Sequence, residues 1–349
     1  MHKRINVGVV GCGYWGPNLI RNFQSISEVT VKTVCDKSLE RLTHMRNLFA
    51  GVEITMNFDD MVQDAELDAI VVATPVSTHF RLAKKSLMAN KHTFIEKPMA
   101  ASVEECRILN ELADSRGLTL MVGHTFIYNP AVRKIKEIID SGEIGEIMYI
   151  SSRRLNLGLF QKDINVVWDL APHDLSIILY LLDEEPISVN CQGKHHYMEG
   201  IEDVANLTLN FANGGFASIT SSWLDPHKVR EMKIVGTKKM IVYDDIEPLE
   251  KIRIYDKRVS MPVHYDSFAE FQYSYHYGDV YVPYIKQTEP LKMEAMHFID
   301  SIRENTRPLT SGWEGLTVIQ ILEAANESLR RKGASIQLFE RPVPVKFVA

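Results

Sequence analysis

The apolar run Ile5 to Val10 opens directly into glycines at 11, 13 and 16, and this stretch, I-N-V-G-V-V-G-C-G-Y-W-G, narrows the folds open to the chain more than any other. Gly11 suits a tight turn at the end of a strand. Gly13 lets the backbone approach a pyrophosphate, and Gly16 lets a helix pack close to the strand with its free first-turn amides facing phosphate. Tyr14 and Trp15 lie between these glycines and are grouped with them in a cofactor-binding loop. A glycine-rich turn without a ligand is the competing reading, and only a strand–turn–helix context separates the two. That context is present. Thr30 to Cys35 reads as a second strand, and Asp36 ends it 20 positions after Gly16, where an acid meets the ribose hydroxyls of a dinucleotide. An acid there repels a 2′-phosphate, so NAD is expected over NADP. Lys37 and Arg41 soften that repulsion, and NADP is not excluded.

Up to about residue 122 strands and helices alternate. Strands are expected at 5–10, 30–35, 53–55, 69–74, 92–95 and 118–122, and helices at 16–25, 38–49, 78–89 and 102–116. Short apolar strands between amphipathic helices imply a doubly wound parallel sheet of the Rossmann type. Ser102 with Glu105 forms a capping box, and Gly117 is placed to close the same helix. From Gly123 the pattern changes. Asn129-Pro130 opens a helix that Ser141-Gly142 ends. From 144 onward the texture is β. Ala205, Leu207, Leu209 and Phe211 alternate with polar residues, and Asn213-Gly214-Gly215 turns the chain into a partner strand at 216–223. Further strands are expected at 231–235, 240–244, 251–255 and 281–285, and helices at 169–182, 291–305 and 314–332. At 349 residues the chain exceeds what one core supports. It is therefore divided into residues 1–122, an NAD(P)-binding Rossmann domain, and 123–349, an α+β domain with a large open, mostly antiparallel sheet for substrate binding and oligomerisation.

A net charge of −6 and the absence of any basic block exclude nucleic acid as the main partner. Cys12, Cys35, Cys106 and Cys191 are scattered, as in a reduced compartment. The first strand begins almost at once and no apolar run reaches membrane-spanning length, so a cytoplasmic protein is expected.

Ligands of such sheets bind where the strands end. Two loops stand there: Thr74-Pro75, followed by His79 at a helix start, and Glu96-Lys97-Pro98. A lysine partly desolvated beside a cationic nicotinamide has a lowered pKa and can shuttle a proton, whereas an exposed loop lysine does nothing of the kind. Asp169 and His173 stand four apart, on one face of a helix. Such a pair suits proton transfer to a substrate oxygen. It also describes a helix cap followed by a packed histidine, and spacing alone favours that. Pro172 is acceptable if the helix begins near Asp169. His195 and His196 point to opposite faces of a strand and find no third ligand, so no metal is expected. Arg153 and Arg154 are either contacts for an anionic substrate group or surface charge. The aromatic run Phe268 to Tyr284 fits a subunit interface better than a stacking platform.

Together these motifs resemble the Gfo/Idh/MocA oxidoreductases over nearly the whole chain. The residues concerned are G-C-G-Y-W-G, A-T-P-V-S-T-H-F, E-K-P-M-A, D-L-A-P-H-D and the two C-terminal helices. The resemblance implies that Lys97 and His173 are the proton-transfer pair and that Asp169 helps to hold substrate and imidazole. It also implies a nicotinamide on the first domain and dimers or tetramers through the open sheet. Substrates of the family are cyclic polyols, sugars and nucleotide sugars. P-H-D-L-S and Y-x-Y-G-D-V-Y-V-P resemble members of surface-polysaccharide and deoxysugar pathways, which implies a UDP- or dTDP-linked sugar reacting at C3. His124, Arg154 and Asn156 are the expected substrate contacts. G-H-T-F-I-Y-N-P stands where many members have G-F-x-R-R-F-x-P, which leaves the contacts of Phe126 to Asn129 open. A free-sugar or myo-inositol dehydrogenase is the alternative. Outside that class stand an NAD-using glycoside hydrolase and a non-catalytic NAD-binding sensor.

Overall fold

The computed structural model describes residues 4–260 and 274–338. Phe268, Phe271 and Tyr273 of the aromatic run lie outside the described residues. The chain divides into two compact units, one of residues 1–132 with 286–320 and one of 133–285 with 321–349.

The first unit is a six-stranded sheet of order β3-β2-β1-β4-β5-β6, parallel at every pairing. Its strands are β1 (Ile5–Val10), β2 (Val29–Cys35), β3 (Glu53–Thr55), β4 (Ala69–Val72), β5 (His92–Glu96) and β6 (Leu120–Gly123). Between them run α1 (Gly16–Gln24), α2 (Leu39–Leu48), α3 (Phe58–Gln63), α4 (Val76–Met88) and α5 (Val103–Ser115). The order reverses between β1 and β4, so the strand ends there open a crevice. Every residue of β4 is buried, as a strand covered on both faces requires. Ser102 Oγ accepts from the Glu105 amide at 3.2 Å and Glu105 Oε2 accepts from the Ala101 amide at 3.0 Å, forming the capping box one residue early on its return arm. β4 ends at Val72, two residues early, because the chain turns at once into α4; and α3, a six-residue helix capped by Asn57, was not anticipated.

The single cut expected between 122 and 123 does not describe this division. Residues 286–320, with helix α8 (Pro290–Glu304) and the start of α9 (Gly312–Arg330), belong to the first unit. The reason is apolar packing. Phe298 of α8 stacks edge-on against Phe23 of α1 and Phe94 of β5, with centroids 6.2 and 5.7 Å apart, and all three rings are fully buried. Burying such a side chain stabilises by roughly 1.5–3 kcal/mol.

The second unit is a nine-stranded sheet of order β14-β13-β12-β11-β7-β10-β9-β8-β15. Its strands are β7 (Ile147–Leu157), β8 (Ser188–Lys194), β9 (Val204–Asn210), β10 (Phe216–Ser222), β11 (Leu224–Gly236), β12 (Met240–Asp244), β13 (Ile252–Ser260), β14 (Ser274–Tyr281) and β15 (Ile336–Gln337). All pairings are antiparallel except β7 with β10. β9 buries Ala205, Leu207 and Leu209 and turns Asn206 outward, the alternation read in the sequence. β14 ends where a strand was expected to begin; Pro283, two residues on, has no amide for a ladder. Helix α6 (Pro130–Asp140) begins behind Asn129, whose Oδ1 accepts from the Ala131 amide at 2.9 Å.

Helix α7 (Val166–Leu182) packs on β7, β9 and β10. It starts three residues before Asp169, because Asn165 caps it: Asn165 Oδ1 accepts from the Trp168 amide at 3.2 Å. Pro172 is therefore inside the helix and not in its first turn, and the Trp168 carbonyl loses its helical donor.

Candidate active site

The strand ends of the first unit gather most of the expected cofactor residues on one edge of the sheet. Gly11 follows β1 with φ +102°, and a Cβ there would lie 2.4 Å from the Ala73 carbonyl oxygen. A Cβ on Gly16 would lie 2.1 Å from the Gly11 carbonyl oxygen, so both glycines are required by the protein itself. Gly13 is different. A Cβ there would meet no protein atom within 4 Å, so neither packing nor a left-handed backbone calls for glycine. Open space against the backbone is what a close-lying pyrophosphate needs. Tyr14 and Trp15 are exposed on the same loop, edge to face at 5.5 Å.

Asp36 ends β2 and anchors this loop. Its Oδ2 accepts from the Cys12 amide at 2.7 Å and its Oδ1 from the Ser38 amide at 2.8 Å. Each oxygen keeps a lone pair for a ribose hydroxyl. A surface hollow beside it is lined by Lys37, Ser38, Arg41 and His44. The residues present therefore fit a dinucleotide, whose pyrophosphate Gly13 would hold and whose adenosine ribose Asp36 would hold.

Thr74 and Pro75 follow β4, and Glu96 and Lys97 close β5. The Lys97–Pro98 peptide is cis. His79 ties the two loops together: Nδ1 lies 2.8 Å from the Pro98 carbonyl oxygen and Nε2 lies 2.7 Å from that of Thr74. Its ring is 1% exposed with both nitrogens engaged, so His79 braces the loops instead of touching a ligand, as had been expected of it. Burial holds its imidazole below the ordinary histidine range.

Behind Lys97 lies a buried polar group. Glu96 is pushed up to about 7 by burial, against the pull of the Lys97 charge. His124 sits inside the unit, with neither ring nitrogen hydrogen-bonded, and burial with the Lys97 charge lowers it to about 4. A substrate contact had been expected of His124, but its burial within the first unit argues for a different part. Glu294 of α8, not foreseen at all, is fully buried and accepts from Thr125 Oγ1 at 2.6 Å. An acid on the Leu291, Ala295, Phe298 stripe was the available signal.

In the second unit Asp169 and His173 stand one turn apart on α7, both half-buried. Asp169 Oδ2 accepts from the indole Nε1 of Trp223 at 3.0 Å, and Phe160 packs on that indole at 5.4 Å. Arg154 is not a substrate contact in this arrangement. It is buried, and its Nε donates to Asp174 Oδ2 at 2.6 Å, while Ser152 Oγ donates to Asp174 Oδ1 at 2.7 Å. This buried ion pair fastens α7 to β7. Arg153 is exposed and Asn156 half-exposed. His196 Nδ1 is engaged by Asp203 at 2.6 Å, and among the described residues no cluster of three or more metal-ligating side chains occurs. No helix of the described residues is long and apolar enough to cross a membrane.

Residues 5–124 match the GFO/IDH/MocA "Oxidoreductase family, NAD-binding Rossmann fold", and residues 132–242 match the "GFO/IDH/MocA C-terminal domain". The chain is similar to UDP-N-acetylglucosamine 3-dehydrogenase of Acidithiobacillus ferrooxidans, with 29% identity over 67% of this chain and 71% of the other. It is similar to scyllo-inositol 2-dehydrogenase (NAD(+)) of Bacillus subtilis, with 26% identity over 80% of each. Among solved structures, levoglucosan dehydrogenase in complex with NADH and L-sorbose superposes with a TM-score of 0.83 at 19% identity, over 97% of this chain and 100% of that one. The glycine loop and the two-unit architecture thus have a common explanation: the chain belongs to the GFO/IDH/MocA family of oxidoreductases, with an NAD-binding Rossmann fold.

Proposed function

We propose that the protein transfers a hydride between nicotinamide and a ring carbon of a sugar, and that the sugar is nucleotide-linked and reacts at C3. One observation carries the reading: Lys97 is presented at the end of β5, on a loop that His79 fastens to the neighbouring strand end, in a unit whose glycine loop leaves room for a dinucleotide only at Gly13. NAD, when bound, supplies the hydride acceptor. Lys97 takes the proton of the reacting hydroxyl, His173 assists that transfer, and Asp169, fixed by Trp223, orients the imidazole and the substrate. The likeness to a UDP-N-acetylglucosamine 3-dehydrogenase supports the nucleotide sugar. The likeness to inositol dehydrogenases supports a free cyclic polyol as the second reading.

Self-association through the large sheet belongs to the same proposal. Met148, Phe216, Tyr275 and Tyr277 are exposed on it, and Tyr149 stacks on Phe216 at 5.5 Å. Apolar surface of this kind is what a subunit contact covers.

The test is reduction of NAD followed at the nicotinamide absorbance, with UDP-sugars, dTDP-sugars, free hexoses and inositols offered singly. Turnover with a nucleotide sugar alone upholds the first reading. Turnover with inositols or hexoses alone selects the second. A thermal shift with NAD and no turnover on any of them would defeat both.

A further inference from the structure

Glu294 is an acid where the fold has no evident use for one. It lies on the apolar face of α8, flanked by Leu291, Ala295 and Phe298, and none of its surface reaches solvent. Thr125 Oγ1 donates to its Oε2 at 2.6 Å, and its Oε1 has no hydrogen-bond partner. A carboxylate with one bare oxygen in apolar surroundings is costly; a neutral carboxylic acid costs far less.

A second buried acid stands close by. Glu96 pairs with Gly123 across β5 and β6, and a Cβ on Gly123 would lie 3.2 Å from Glu96 Oε2. Glu96 thus lies against the end of β6, and Thr125, two residues along, holds Glu294. Burial, and after it the Glu96 charge, raise the affinity of Glu294 for a proton well above that of an ordinary carboxylate, against the Thr125 hydrogen bond. Two buried like charges so placed do not both ionise. The other groups around the pair are Lys97, whose amide donates to Glu96 Oε2 at 3.2 Å, and His124 at the end of β6. Further off, His297 on α8 is turned to the Leu309 amide, and Arg21 of α1 is paired with Glu289 at the start of α8.

We propose that Glu96 and Glu294 act as one carboxyl pair holding a single proton, carried by Glu294, so that Lys97 stands beside one buried negative charge and not two. Glu294 is then a positioning residue: by staying neutral it leaves Glu96 free to ionise and to balance the Lys97 ammonium. The consequence for catalysis rests on the reading of Lys97 given above; the proton on Glu294 does not.

Infrared spectroscopy of the full chain reads that proton directly. At about pH 8.5, above the pH near which Glu96 loses its proton, the native protein should show the C=O stretch of a buried protonated carboxylic acid. The band should be lost in Glu294→Gln and kept in Glu96→Gln, where removal of the neighbouring charge moves its titration to lower pH. A native protein without the band, or a band lost in Glu96→Gln and kept in Glu294→Gln, overturns the proposal. Melting temperature gives an independent reading. A carboxyl protonated when folded and ionised when unfolded costs stability as pH rises above the ordinary carboxylate range. The melting temperature of Glu294→Gln minus that of the native protein should therefore increase from about pH 5 to about pH 8. A flat difference overturns the proposal. Should Glu294→Gln fail to fold, the band's titration in the native protein and in Glu96→Gln decides alone: equal midpoints in the two overturn it. None of these readouts uses turnover, so an error in the substrate reading leaves them intact.

Discussion

The indole Nε1 of Trp223 donates to Asp169 Oδ2 at 3.0 Å across 54 residues of sequence, joining the end of β10 to the second residue pair of α7. Asp169 is thereby held at one of its carboxyl oxygens. Trp223→Phe keeps the ring and removes the donor. A hydrogen bond to a charged group contributes roughly 1.5–3 kcal/mol, so kcat/KM should fall by about tenfold or more. The fall should be absent when Trp223→Phe is added to Asp169→Asn. Additive losses in that double-mutant cycle would show that Trp223 acts elsewhere.

Lys97→Met should remove most turnover, by roughly a hundredfold or more, because it deletes proton transfer. Binding of NAD should stay nearly native, since the glycine loop and Asp36 are untouched. Steady-state rates together with a calorimetric NAD titration check this; native turnover would end the assignment of Lys97.

Asp36 accepts from the Cys12 and Ser38 amides and is the proposed contact of the adenosine ribose. Asp36→Ala should weaken NAD by roughly tenfold or more while affecting NADP less, since the repulsion of a 2′-phosphate goes with the acid. Equal losses for the two cofactors would place the ribose contact elsewhere.

Arg154 and Asp174 form a buried pair, and removing one partner strands the other's charge. Arg154→Met should destabilise the chain by about 3–5 kcal/mol in denaturant unfolding, and Arg154→Met with Asp174→Leu should recover most of that loss. A rise in KM with unchanged stability would restore Arg154 to the substrate.

His124 gives a pH dependence with a definite sign. Its imidazole titrates near 6.5 when unfolded and at about 4 in the folded chain. Above 6.5 both states are neutral; below it the unfolded chain takes up the proton first, so stability falls as pH drops from 6.5 towards 4. The loss amounts to roughly 3 kcal/mol at most. His124→Gln should flatten that acid limb in melting temperatures measured across it, and an unchanged limb would assign it to other groups.

Much of the first unit was legible because its determinants are local. A strand that runs into Gly11, Gly13 and Gly16, with an acid 20 positions after the last, is a steric and electrostatic statement about a short piece of chain. β1 was bounded to the residue, and β2, β5, α1, α2, α4 and α5 to within two. Asp169 and His173 were legible as a pair because a helix sets the spacing. The sequence by itself determined the parallel fold of the first unit, the glycine loop, the Glu96-Lys97-Pro98 turn and the α+β texture of the rest. Tertiary structure alone decided what those residues touch. It took Arg154 to Asp174, spent both nitrogens of His79 on carbonyls, buried His124, and joined Trp223 to Asp169 and Glu294 to Thr125. It also returned α8 to the first unit, because Phe298 finds its partners in Phe23 and Phe94, more than 200 residues earlier. Periodicity says which face of an element is buried; it does not say against what, since contacts between residues far apart in sequence are fixed only when the sheets and helices close on one another.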